Sequence, residues 1–101
     1  MVTLNTEEVR ERLRQLPGWV VENGAISRRF TFSGFADAVA FVVRLGFAAE
    51  AADHHPDLLI SYKRVTATFI THSEGGLTGK DFDGARQADA VAGSLGATEL
   101  L

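Results

Sequence analysis

Apolar residues recur at Val9, Leu13 and Leu16, a helical spacing that predicts a first helix capped by Asn5 or Thr6, with Glu8 placed to close a capping box. Pro17-Gly18 ends it. Trp19 to Glu22 and Ala25 to Phe32 then read as strands flanking Asn23-Gly24, two residues that tolerate positive φ, so an antiparallel hairpin is predicted. From Ser33 or Gly34 the period becomes helical, with Phe35, Ala38, Val39, Phe41, Val42, Leu45, Ala49 and Ala52 forming a broad apolar surface. Asp37 lies near the positive end of this helix, and Pro56, which disfavours helical geometry at His55, stops it around Asp53 or His54. Leu58 to Tyr62 and Val65 to His72 form a second strand pair across Lys63-Arg64. In the latter, Val65, Ala67 and Phe69 alternate with Thr66, Thr68 and Ile70, and His72 falls on the threonine side. After a Ser73-Glu74-Gly75-Gly76 loop, Thr78 and Asp81 fit another capping box, and Phe82, Ala85, Ala88, Ala92 and Leu95 mark a last helix.

Helix, hairpin, helix, hairpin, helix is the order expected of an α+β two-layer domain: a four-stranded antiparallel sheet with three helices packed on one face. Residues 1–101 read as one domain, without internal linker or repeat, and the order of strands in the sheet is not given by these patterns. A chain of 101 residues buries only roughly 60 to 70% of its unfolded surface, which favours association between subunits. The net charge of -3 argues against a nucleic-acid groove, which needs clustered cations. Arg10, Arg12 and Arg14, interspersed with Glu7, Glu8 and Glu11, read as a solvated helix face. Disulfides and thiol chemistry are excluded because the chain has no cysteine. No basic segment leads into an apolar run, and Asp37, Arg44 and Glu50 interrupt the most apolar stretch, so a cytoplasmic protein with no membrane partner is expected.

The candidate chemistry lies in the three histidines, His54, His55 and His72, all at predicted element ends. Glu50 and His54 are four residues apart and can face each other on a helix, the outline of a carboxylate-oriented acid/base pair. The plainer alternative is that the adjacent histidines cap the helix. A zinc site could draw on these histidines with Glu50 or Asp53, but neighbouring histidines rarely aim at one point and the spacing matches no common zinc motif, so no metal is expected. Asp81 has a capping role available, and Trp19 and Tyr62 are by default packing aromatics. Gly75-Gly76 lacks the Lys-Ser/Thr partner of a phosphate loop.

Glu50, His54-His55-Pro56-Asp57, Tyr62, Thr71-His72, Gly76-Leu77-Thr78 and Asp81 together resemble the pterin-4a-carbinolamine dehydratases in order and spacing. The likeness extends upstream through Gly18-Trp19, the Arg29 to Phe32 strand and the Phe35, Ala38, Phe41 pattern. It departs at Leu58, where the family often has Trp, and at Gly46-Phe47, which replaces a small aliphatic pair. The resemblance implies a two-layer α+β fold, a homodimer or homotetramer and no cofactor. It also implies removal of water from 4a-hydroxytetrahydropterin to give quinonoid dihydropterin, in recycling that serves aromatic amino-acid hydroxylases. Active-site roles then fall on His54, His55 and His72, with Glu50 and Asp81 in support. Trp19, Pro56, Thr71, Ser73 and Glu74 are expected around the pterin. On this reading His54, backed by Glu50, and His72 flank the hydroxyl-bearing carbon. Relatives of the fold also act as dimerisation cofactors or assembly factors, a role that needs surface and no histidines.

Overall fold

A computed structural model describes residues 3–99. Helix α1 spans Thr6–Leu13, strands β1 and β2 Val20–Glu22 and Ala25–Thr31, and helix α2 Phe35–Ala52. Strands β3 and β4 follow at Asp57–Ser61 and Arg64–Phe69, then a 3-10 turn His72–Glu74, helix α3 Gly79–Ser94 and a short strand β5, Thr98–Glu99. The sheet is antiparallel in the order β1-β2-β4-β3, with β5 paired to the end of β2. The architecture is thus the expected α+β arrangement of an antiparallel sheet and three helices, with the two-residue β5 added.

Local chemistry explains most of these elements. Asn5 caps α1 and exchanges hydrogen bonds with Glu8, and Thr78 and Asp81 do the same at the start of α3, so both predicted capping boxes are formed. Asn23 and Gly24 have φ of 53 and 79°, the left-handed backbone that a two-residue hairpin loop requires. In β4, Val65, Ala67 and Phe69 are buried while Thr66 and Thr68 are partly exposed, which is the alternation read from the sequence. Their inward face, together with Ile26 and Phe30 of β2, meets Phe41 and Leu45 of α2 and Phe82, Ala85 and Ala88 of α3 in one core, against which Val9 and Leu13 of α1 also pack.

Several boundaries differ from expectation, among them the end of α1, which stops at Leu13 before the expected Leu16. The β3–β4 loop is Tyr62-Lys63, one residue earlier than predicted, because Tyr62 adopts a left-handed φ of 53° and Ser61 pairs directly with Arg64. Strand β4 ends at Phe69, so His72 is not on its threonine side. Thr71 instead bridges to Gly76, and the chain between them closes into the 3-10 turn, ended by Gly75 at φ 72°.

Gly46 sits inside α2, and a Cβ built on it meets nothing within 4 Å. Gly46→Ala is therefore expected to stabilise the fold by about 0.5 to 1 kcal/mol, through helix propensity and a less flexible unfolded chain. For a domain of this size that corresponds to a rise of several degrees in Tm, roughly 4 to 8 °C per kcal/mol. Thermal unfolding followed by circular dichroism measures it, and an unchanged or lower Tm contradicts it.

Candidate active site

The end of α2 decides where the histidines point. Asp53 takes φ 51°, ψ 41°, its N–H donates to Ala49 and Glu50, and the His54 N–H returns to the Ala49 carbonyl at 3.1 Å. This is a Schellman closure with an aspartate in the left-handed position usually given to glycine. Helical phase is lost at that residue, so the expected Glu50–His54 pair does not form. Glu50 Oε1 meets His55 Nε2 instead, at 2.7 Å, between two exposed side chains. Pro56 favours the extended backbone at His55 that aims its ring back along the helix.

His54 turns inward to α3. Its Nε2 lies 2.6 Å from Asp81 Oδ1, and its ring stacks on Phe69 with centroids 6.1 Å apart and planes 23° from parallel. The His54 side chain is 12% exposed and that of Asp81 0%. A buried carboxylate is expensive unless its oxygens are filled by donors. Here Oδ2 accepts from the Thr78 N–H at 2.9 Å and the Thr71 hydroxyl at 2.8 Å, and the N-terminus of α3 adds its partial positive charge. Asp81 thus closes the capping box and orients His54 at once, so its two possible roles are not alternatives.

Thr71 connects this group to the next histidine. It is buried against Asp81 while His72, Ser73 and Glu74, the following residues, are exposed on the 3-10 turn. His54 and the His72-bearing turn therefore meet at one carboxylate. A cavity of about 400 Å³ opens beside His54 and is also lined by Lys80, Asp83, Arg86 and Gln87, a size within the range of small-molecule sites. Among the described residues, no three His, Asp or Glu side chains are grouped to hold a metal ion.

Trp19 is the expected site residue that the structure sets apart. It is 4% exposed, its Nε1 donates to Asp89 at 3.0 Å, and its ring packs against Phe30 and Phe69. No face of the indole is open to a ligand, so the packing reading holds; Trp19 backs Phe69, which in turn backs His54. Sequence reasoning missed Phe69 as the platform under His54 and Thr78 as part of the buried hydrogen-bonded group. The Thr78-Asp81 box was a usable signal for the latter, but nothing in the sequence brings Thr71 to it.

A partly exposed imidazole held at one nitrogen by a buried carboxylate is equipped for proton transfer near neutral pH. The sequence profile described as pterin 4 alpha carbinolamine dehydratase matches residues 2–91. A protein of Roseiflexus castenholzii, provisionally named pterin-4-alpha-carbinolamine dehydratase, is 49% identical over 88 residues, 87% of this chain and 95% of its own length. A Chloroflexus aurantiacus protein with the same provisional name is 46% identical over 93 residues, 92% of this chain and all of its own. Among solved structures, one described as a transcriptional coactivator/pterin dehydratase from Brucella melitensis superposes with a TM-score of 0.86 at 40% identity, over 89% of this chain and 98% of that one. Another, described as a pterin dehydratase-like protein that is a RuBisCO assembly factor in the alpha-carboxysome, shares the fold with a TM-score of 0.63 at 24% identity, over 74% and 87% of the two chains.

Proposed function

The chain belongs to the pterin-4-alpha-carbinolamine dehydratase family, and on that premise we propose that it converts 4a-hydroxytetrahydropterin to quinonoid dihydropterin and water. In this step the C4a–O bond breaks, a proton reaches the leaving oxygen, and another leaves a ring nitrogen as the new C=N bond forms. Histidines suit both transfers. His54 and His72 flank the hydroxyl-bearing carbon, while His55, supported by Glu50, and the Thr71 to Glu74 backbone position the ring. Glu50 thereby keeps a supporting role, moved from His54 to His55. The observation that carries the reading is the His54–Asp81 pair at 2.6 Å, a buried carboxylate holding a partly exposed imidazole.

Stopped-flow decay of freshly generated 4a-hydroxytetrahydropterin tests it, with acceleration over the spontaneous rate expected. A folded protein that leaves the rate unchanged sinks the dehydratase reading and favours a partner-binding role on the same fold. Turnover is expected to survive EDTA, because the proposed steps are proton transfers between side chains and the pterin; loss restored by zinc contradicts this.

The protein is further proposed to act as a homodimer or homotetramer, recycling pterin for an aromatic amino-acid hydroxylase. The outer face of α2 exposes Phe35, Val43 and Phe47, the last to 75%, which is unusual apolar exposure for a monomer. Sedimentation at micromolar concentration is expected to give a dimer or larger, and a clean monomer overturns it. No helix among the described residues is long and apolar enough to cross a membrane.

A further inference from the structure

We infer that the buried hydroxyls of Thr71 and Thr78 fix the tautomer of His54, placing a hydrogen on Nε2 and leaving Nδ1 as the nitrogen that exchanges a proton with a ligand. The inference rests on the acid/base reading of His54, but the tautomer itself is measurable without substrate. Thr71 and Thr78 are then positioning residues, acting through Asp81.

The hydrogens around Asp81 Oδ2 lie where water does not reach. Thr78 and Asp81 are fully buried and Thr71 nearly so. Asp81 Oδ2 already accepts the Thr78 backbone N–H at 2.9 Å. The single hydroxyl hydrogen of Thr71 has two oxygens 2.8 Å away, Asp81 Oδ2 and Thr78 Oγ1. A carboxylate is the stronger acceptor, so Thr71 donates to Asp81 and Thr78 donates to Thr71. Thr78 Oγ1 in turn accepts the Lys80 N–H at 3.2 Å, which leaves every hydrogen in the chain with a destination. Two donors pointed at Oδ2 leave no room for a proton there, and imidazole is a far stronger base than carboxylate, so a proton shared between Oδ1 and His54 sits on the ring and Oδ1 accepts. His54 Nε2, 2.6 Å away, must supply the hydrogen. In the neutral ring Nδ1 is then a lone pair, and in the cation it is the N–H that can be given up.

Asp81→Asn should reverse the tautomer. Because Thr71 and the Thr78 N–H both donate toward Oδ2, the amide oxygen must occupy that position. The amide nitrogen then faces His54, Nε2 must accept, and the ring is forced into the opposite tautomer. Long-range 1H–15N correlation spectra of the ligand-free protein at alkaline pH read this directly. Wild type is expected to show a protonated Nε2, with its hydrogen protected from exchange, and an unprotonated Nδ1; Asp81→Asn is expected to invert the pattern. A wild-type ring protonated on Nδ1, or a folded Asp81→Asn that keeps Nε2–H, overturns the inference.

Should Asp81→Asn fail to fold, Thr71 variants decide. Thr71→Val is expected to speed exchange of the Nε2 hydrogen and Thr71→Ser to restore it, while equal exchange in all three removes the hydroxyls from the account. If the dehydratase reading also holds, Asp81→Asn should lower kcat by about 10² to 10⁴-fold, the size of effect produced when a catalytic histidine is held in the wrong tautomer, with KM little changed. A wild-type protein inert toward the pterin but carrying the expected tautomer defeats the dehydratase reading alone.

Discussion

His54→Gln is expected to slow dehydration of 4a-hydroxytetrahydropterin by about 10² to 10⁴-fold, and His72→Ala by at least about tenfold, with the double variant near the spontaneous rate. The asymmetry follows from how each ring is held. His54 is fixed between Phe69 and Asp81 before substrate arrives, whereas His72 is an exposed side chain whose ordering must be supplied on binding. Glutamine is preferred to alanine at position 54 because its amide can still donate to Asp81. Alanine strands a fully buried carboxylate oxygen, at about 1 to 3 kcal/mol or more, and confuses lost catalysis with lost stability. Circular dichroism should show native folding first. Groups acting as a unit are not additive, so a double loss smaller than the product of the single losses is compatible with the mechanism. Full activity in both folded single variants is not.

The Asn23-Gly24 hairpin, the Thr78-Asp81 box and the Val65, Ala67, Phe69 alternation are local devices, and each appears in the structure where its pattern put it. The failures are also local in origin but not in consequence. One aspartate in a left-handed conformation ends α2 and exchanges the partners of both adjacent histidines, so that a sound helical-spacing argument for Glu50 and His54 became a pairing of Glu50 with His55. A tyrosine at positive φ moved the second hairpin loop by one residue, against the usual preference for Gly, Asn or Asp. The order β1-β2-β4-β3 and the meeting of Thr71 with Asp81, ten residues apart, depend on tertiary packing that no local period encodes. The resemblance supplied the list of site residues; only the geometry separated Trp19 from the histidines it supports.

Gly84→Ala is expected to have the opposite sign to Gly46→Ala, although both replace a glycine inside a helix. A Cβ at position 84 falls 2.4 Å from Phe69 Cε1 and 2.8 Å from two further ring atoms, far inside van der Waals contact. The ring cannot simply turn away, because Phe69 is 1% exposed, with Trp19 packed on it and His54 stacked over it. Overpacking of this kind costs about 1 to 3 kcal/mol, more than the ~1 kcal/mol that alanine gains as a helix former. Net destabilisation is expected, with a lowered urea midpoint at unchanged slope. Activity should fall further than the residual folded fraction explains, since any shift of Phe69 moves the platform that sets the His54 ring. A double-mutant cycle with Phe69→Leu isolates the contact: leucine alone leaves space, alanine at 84 partly fills it, and the pair should be more stable than the sum of the single changes by about 1 kcal/mol or more. Strict additivity, or a Gly84→Ala protein as stable as wild type, means that α3 can retreat from β4 at little cost and that the close approach at Gly84 does not hold the histidine in place.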